Sequence, residues 1–357
     1  MFASSETTLA RQWHVTGSSL AHLTGLDDVF QRFMRRHGIR NGSFALVHEG
    51  ELVMSKGYTW AEEGVAITQP STPFRLASLS KIFTAAAIDR LLLEGRIQHS
   101  TQAFPFLGVT SAALASQAVD PRTATITVDQ LIDHRGGWDN RFAVEPTGRL
   151  RDIATALGIT TMPTRNQLIQ FQYGEPLQFP PGDSPGQYSN FGYLLLTSVV
   201  EQASDQAYYT YIMSQILLPE GLAELWIGSV SAGTQHSNEP RYEHPDLGLT
   251  VLEPKNDSLL PRCYGGGFAL ENSEGTGGLV STAETVARFI TRHAVWGIGN
   301  RTPNATRHGT LDGSCTGARS RGDGLDFAYL FNRRVSDEVH DQFTSEIDGF
   351  LTTHPWS

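Results

Sequence analysis

Apolar residues recur at helical spacing over residues 27–37, where Val29, Phe30, Phe33 and Met34 share one side and Gly38 stands at the position of a C-terminal cap. An amphipathic helix is predicted there. Two short apolar runs follow, 43–48 and 51–55, joined by Glu49-Gly50, the signature of a β-hairpin. Residues 78–93 show a different pattern, because Ile82, Phe83, Ala85, Ala86, Ile88, Leu91 and Leu92 cover most of a helix circumference before Gly95. Such a helix is buried on most sides. From 96 to about 265, helical segments at 129–132, 165–171 and 192–203 alternate with loops rich in proline and glycine. Near the end, runs at 311–320 and 325–333 flank the turn residues Gly322-Asp323-Gly324, and 337–351 reads as a closing amphipathic helix.

Strands near both termini bracket a helical middle. The economical arrangement is an α+β fold, with one antiparallel sheet assembled from both chain ends and faced by the terminal helices. Residues 1–80 and 266–357 would form this sheet domain, 81–265 a mainly helical domain, and the active site would lie at their seam.

Composition narrows the function. Hydrophobic residues make up 39% and charged residues 18% of the 357, as in an ordinary globular enzyme. A net charge of −10, with no basic run longer than Arg35-Arg36-His37 and Arg40, argues against a nucleic-acid partner. Residues 1–25 lack the apolar core of a signal peptide, and no stretch approaches the roughly 20 apolar residues of a membrane span. A soluble cytoplasmic protein without a membrane partner is expected. Cys263 and Cys315 fit no disulfide, zinc or redox spacing and read as free thiols. No phosphate loop, dinucleotide fingerprint or His-Glu-x-x-His occurs, so no metal or organic cofactor is expected.

Only three of the 27 basic residues are lysines, at 56, 81 and 255, so a lysine within a chemical pattern carries weight. Ser78-Leu-Ser-Lys81 places a hydroxyl and an ammonium three residues apart, on one helix face. A buried lysine with a lowered pKa removes a proton from such a serine and makes it a nucleophile. The plain alternative has Lys81 on the helix surface and Ser78 as an N-cap. The apolar helix leaves little solvent-facing surface for it.

The run Phe74-Arg-Leu-Ala-Ser-Leu-Ser-Lys-Ile-Phe-Thr-Ala85 resembles the active-site segment of the serine β-lactamase-related family. Its class C branch, with class C β-lactamases, D-amino-acid peptidases, D-alanyl-D-alanine carboxypeptidases and penicillin-binding-protein-like esterases, is the nearest. The resemblance implies a β-lactamase/transpeptidase-like fold and Ser78 as nucleophile. A second segment, Pro180-Pro-Gly-Asp-Ser-Pro-Gly-Gln-Tyr-Ser-Asn190, resembles the family's Tyr-x-Asn loop. A phenol beside an ammonium is held as phenolate or relays a proton, which suits Tyr188 as general base and then acid. Asn190 would orient Lys81 or bind a substrate carbonyl; otherwise it caps the following helix.

Residues 126–138, ending His134-Arg-Gly-Gly-Trp138, and 277–284 extend the resemblance. Trp138 reads equally as pocket wall or core, and Ser281 or Thr282 as an N-cap with Glu284 in the first turn. Relatives carry Lys-Thr-Gly or His-x-Gly on a strand bordering the site. The counterpart here is Arg307-His308-Gly309, placed by the later Gly313, and the stretch before it looks short. Gly309 would let substrate approach, and the N–H groups of Thr310 and Ser78 would form an oxyanion hole. Arg307 cannot act as a base, but it can bind a substrate carboxylate. The expected function is a serine hydrolase acting on a small ester or amide, with carboxylesterase chemistry first. An acyltransferase, a D-amino-acid peptidase, a β-lactamase and a non-catalytic binding protein are the alternatives.

Overall fold

Strands from the two ends of the chain pair into one antiparallel sheet of six. The computed structural model describes residues 10–110, 119–231 and 233–354. The sheet strands are β1 (Gln12–Ser18), β2 (Asn41–His48), β3 (Glu51–Ala61), β9 (Ala305–Leu311), β10 (Ser314–Ser320) and β11 (Leu325–Phe331). They lie side by side in the order β1-β3-β2-β11-β10-β9. The closure between the two ends is the β2–β11 ladder, which pairs Gly42 with Phe331 and His48 with Leu325. Two smaller sheets are formed by β4 (Phe74–Arg75), β8 (Leu279–Ser281) and β5 (Leu225–Ile227), and by β6 (Leu247–Leu249) with β7 (Leu259–Pro261).

Helix α1 (Gly25–His37) forms as its periodicity predicts and ends at Gly38, whose left-handed φ of 66° disfavours a side chain. It packs with the C-terminal helix α10 (Asp337–Thr353) on one face of the sheet. The layer between them is aromatic: Phe33 stacks on Phe343 at 3.9 Å, and Phe30, Phe44, Tyr58 and Phe331 surround the pair. Burying each of these rings stabilises the fold by about 1.5–3 kcal/mol. The opposite face carries α9 (Ala283–Phe289) against β2 and β11. Beyond it lie α2 (Ser80–Leu93), α3 (Ala103–Phe106), α4 (Val128–Ile132), α5 (Leu150–Ala156), α6 (Arg165–Tyr173), α7 (Asn190–Ser204) and α8 (Tyr208–Tyr211). As predicted, α2 is buried nearly all round.

The strands depart from the sequence reading in two places. Residues 12–18 form edge strand β1, which the sequence did not reveal because most of its side chains face water; Trp13 anchors it by stacking on Trp60 at 5.8 Å. The run 311–320 is two strands, since Leu311 ends β9 and Ser314 begins β10 across an Asp312-Gly313 turn. Strand β9 itself, Ala-Thr-Arg-His-Gly-Thr-Leu, has no apolar alternation to announce it. Between α9 and β9 the described chain is irregular, with one bridge between His293 and Asn300. Residues 1–9, part of the stretch read as lacking a leader, lie outside the described residues.

Candidate active site

Ser78 sits in a single 3₁₀ turn, Ala77–Leu79, at the start of α2 and against strands β9 and β10. Hydroxyls of β10 fix the chain that leads into it: Ser314 Oγ donates to the Arg75 carbonyl and Thr316 Oγ1 to the Leu76 carbonyl, each at 2.8 Å. Arg75 is fully buried, donating to the carbonyls of Cys263 at 2.6 Å and Ser229 at 2.9 Å. These bonds hold Ala77 at a φ of 50°, a left-handed conformation that a non-glycine residue adopts at a cost of about 1–3 kcal/mol. The strained residue immediately precedes Ser78.

Lys81, 0% exposed, points back to Ser78 Oγ at 3.4 Å. Its ammonium also donates to Asn190 Oδ1 at 2.8 Å and to the Thr276 carbonyl. Burial lowers its pKa, nearby Tyr188 opposes that change, and the Arg307 charge adds to it. The Tyr188 ring centroid lies 4.8 Å from Lys81 Nζ, and the phenol oxygen accepts from Arg307 Nη2 at 3.3 Å. Burial pushes the phenol up, but the positive charges of Lys81 and Arg307, with hydrogen bonds from Lys81 and Ser78, outweigh it and bring the group down to about 8. Two cations thus make a phenolate accessible near neutral pH.

Around this core the structure adds residues the sequence reading missed. Trp296 lies 4.2 Å from the Arg307 guanidinium carbon, edge-on to Tyr188, and donates to the Thr306 carbonyl at 2.6 Å. His134, at a left-handed φ of 59°, packs on Tyr188 at 4.3 Å. Burial, then Arg307 and Lys81, lower its pKa to about 3, so the ring is neutral. Glu145 meets the backbone of residues 190 and 191. The Thr276 contact is made by a main-chain carbonyl, which no side-chain motif discloses.

On the strand side, Gly309 lies against the nucleophile turn. A Cβ there would come within 2.6 Å of the Leu76 carbonyl oxygen and 3.0 Å of the Ser78 nitrogen, so only glycine fits. The Thr306 carbonyl points away from β10, as its bond to Trp296 shows, and main-chain orientation alternates along a strand. Residue 310 shares that orientation, so the Thr310 N–H also points away from β10. Ser78 and Thr310 stand between two cavities. The larger, about 660 Å³, is also lined by Tyr188, Trp296, His308, Asp337 and Asp341. The smaller, about 160 Å³, is lined by the apolar side chains Phe268, Ala269, Leu270 and Leu311 together with Asn190 and Thr276.

Two readings change. Arg307 is 1% exposed, with one nitrogen on the Val295 carbonyl at 3.1 Å and another on Tyr188, so its fork serves the phenol and is not open to a substrate carboxylate. Trp138 is 3% exposed and packs edge-on against Phe191 at 4.8 Å, which makes it core and not pocket wall. Thr282 caps α9 by accepting from the Thr285 nitrogen at 3.2 Å. Cys263 and Cys315 are buried free thiols. Among the described residues there is no cluster of three or more histidine, cysteine or acidic side chains able to hold a metal, and no helix long and apolar enough to cross a membrane.

An antiparallel sheet built from both chain ends, with a serine and a lysine one helical turn apart at its margin, defines a β-lactamase/transpeptidase-like fold. Residues 26–344 match the Beta-lactamase family as a whole, and the chain belongs to that family. Among solved structures, the D-amino acid amidase from Ochrobactrum anthropi SV3 superposes with a TM-score of 0.64 at 17% identity, over 92% of this chain and 98% of that one. The octameric penicillin-binding protein homologue from Pyrococcus abyssi gives 0.62 at 18% identity, over 91% and 77%. Both likenesses concern the fold. By sequence, Protein flp of Staphylococcus aureus (strain COL) is 25% identical over 196 residues, 54% of this chain and 36% of that protein. The matched region is thus little more than a third of that relative's length.

Proposed function

We propose that the protein is a serine hydrolase that carries the acyl group of a small ester or amide on Ser78. The observation that supports this most is the fully buried Lys81 ammonium, shared between Ser78, Asn190 and the Thr276 carbonyl, beside a phenol lowered to about 8. The Tyr188 phenolate takes the Ser78 proton as Oγ attacks the carbonyl carbon. Negative charge on the carbonyl oxygen falls between the N–H groups of Ser78 and Thr310. Tyr188 then returns the proton to the leaving oxygen or nitrogen, and water attacks the acyl-enzyme by the same route in reverse.

The two cavities suggest which part of the substrate goes where. Tyr188 lines the larger one and not the smaller, so a leaving group that receives its proton departs into the larger. The acyl part then occupies the smaller, apolar cavity, which suits a short acyl chain. A fluorophosphonate should add one phosphonyl mass to the protein, and Ser78→Ala should abolish the adduct; labelling that survives the substitution would defeat the assignment. On p-nitrophenyl esters, kcat/KM should fall as the acyl chain lengthens beyond about four carbons. D-amino-acid amides, prompted by the amidase likeness in fold, and nitrocefin complete the panel that separates esterase, amidase and β-lactamase chemistry.

A further inference from the structure

Tyr188 and Asn190 flank the start of α7, a 15-residue helix whose first N–H groups have no partner within the helix. Those groups are buried, and the residue that meets them comes from 45 positions earlier in the chain. Glu145, 5% exposed, accepts from the Asn190 nitrogen through Oε2 at 2.8 Å and from the Phe191 nitrogen through Oε1 at 3.1 Å. Oε1 also accepts from Ser189 Oγ, which in turn accepts from the Gly192 nitrogen at 3.0 Å. Two oxygens therefore satisfy three donors, and Ser189 passes the connection to a fourth. The same loop grips the turn elsewhere: Asn140 Nδ2 donates to the Tyr188 carbonyl at 3.3 Å, its Oδ1 accepts from the Glu145 nitrogen at 3.0 Å, and His134 Nδ1 meets the Ser189 nitrogen at 3.2 Å.

We infer that Glu145 is a positioning residue of this site: its carboxylate fixes the backbone of residues 189–191 so that the Tyr188 phenol and the Asn190 amide both meet Lys81. The inference rests on the hydrolase reading for its catalytic meaning, but the geometry it describes does not. A carboxylate is the group required, because all its partners are donors and an amide would turn an N–H toward one of them. Its negative charge also lies at the positive end of the α7 dipole. It does not touch Ser78, and it acts through Tyr188 and Asn190.

The test is Glu145→Asp, which keeps the charge and withdraws the oxygens by roughly 1.5 Å, one carbon–carbon bond. The groups facing the Tyr188 phenol are Lys81 from α2, Arg307 from β9, Tyr193 from α7, His134 from the preceding loop and the Ser78 hydroxyl. The substitution alters none of them, and the Glu145 charge that acts on Lys81 is kept by aspartate, so a change in Tyr188 ionisation reports the position of the turn. The difference ultraviolet titration between each protein and its Tyr188→Phe partner reads that ionisation. The midpoint should rise from about 8 toward the ordinary tyrosine value as the phenol draws away from Lys81 and Arg307. Fluorophosphonate labelling of Ser78 should slow roughly tenfold or more, with the melting temperature within a few degrees of the parent. An unchanged midpoint overturns the inference whatever the labelling rate. A raised midpoint in a protein whose parent never labels upholds the positioning and overturns the hydrolase reading instead. Should Glu145→Asp fail to fold, Glu145→Gln keeps the shape and turns an N–H toward one of the donors at residues 189–191, and an unshifted midpoint in that variant overturns the inference equally.

Discussion

Helix α2 reaches the site through side chains, whereas strand β9 reaches it largely through its backbone. On α2, Lys81 makes three contacts, and each depends on an ammonium at the end of a four-carbon stem. On β9, Gly309 contributes the absence of a side chain, and in the proposed mechanism Thr310 contributes a main-chain N–H. Arg307 contributes a fixed positive charge next to Tyr188. A point charge is a weaker demand on residue type than a titratable base. The difference suits an arginine at position 307, whereas the Ser78-Lys81 pair depends on its residue types.

The largest expected effects test the side-chain half. Lys81→Ala and Tyr188→Phe should each lower kcat by at least ~10²-fold, the usual contribution of a positioned proton-transfer group, while circular dichroism stays that of the parent. A Tyr188→Phe protein within threefold of the parent would make that residue structural and shift the base role to Lys81 alone.

The backbone half is tested next by Gly309→Ala. The added methyl would press on the Leu76 carbonyl at 2.6 Å and the Ser78 nitrogen at 3.0 Å, neither of which yields as a flexible side chain would. The turn must shift and carry the Ser78 N–H out of line. Loss of one donor to a developing oxyanion is worth up to ~10²–10³ in kcat, so a drop of at least about tenfold is expected, with acylation measured in single turnover. Normal acylation in this variant would mean that β9 does not supply the oxyanion hole.

This division also governs how much could be read from the sequence. Helices α1, α2, α7 and α10 were legible because their apolar spacing is a side-chain pattern, and Ser78, Lys81, Tyr188 and Asn190 were legible because they stand in motifs. Strand β1 was not, and β9 was placed only through the likeness of Arg307-His308-Gly309 to the family's motif, since an edge strand with few buried side chains writes no alternation. Glu145, His134 and the Thr276 carbonyl were missed for a related cause. Glu145 and His134 meet backbone groups far away in sequence, and the Thr276 group that meets the Lys81 ammonium is itself backbone; a carboxylate that caps a distant helix looks like any loop glutamate until the chain is folded. Trp138 was left evenly balanced between wall and core, and packing against Phe191 decided it.

A smaller effect separates charge from shape at Arg307. Its guanidinium helps to hold the phenol down to about 8, so removing the charge disfavours phenolate and raises that value. If phenolate is the active form, the acidic limb of kcat/KM then moves to higher pH. Arg307→Gln should therefore lose activity at pH 7, by roughly three- to tenfold, and recover much of it above pH 9. Arg307→Lys keeps the charge and should leave the limb in place. Loss at every pH in both variants would show that packing against Trp296, and not charge, is what the position supplies.

The smallest effect is expected one residue further along the strand. The His308 side chain turns to α10, where Nε2 lies 2.9 Å from Thr344 Oγ1, Nδ1 lies 3.2 Å from Asp341, and the ring stacks on His340 at 3.8 Å. Burial lowers its pKa, although Asp341 and Asp337 oppose the change. The ring lines the larger cavity but does not touch Lys81 or Tyr188 in any of these contacts. His308→Ala should therefore leave kcat within about twofold and change KM by no more than a few-fold, mainly for substrates with bulky leaving groups. The lost bond to Thr344 should destabilise the fold by about 0.5–1.5 kcal/mol, seen as a lower urea midpoint. A fall in kcat as large as that in Lys81→Ala would reverse the register. It would mean that the His308 imidazole, and not the Arg307 guanidinium, works beside the nucleophile during turnover.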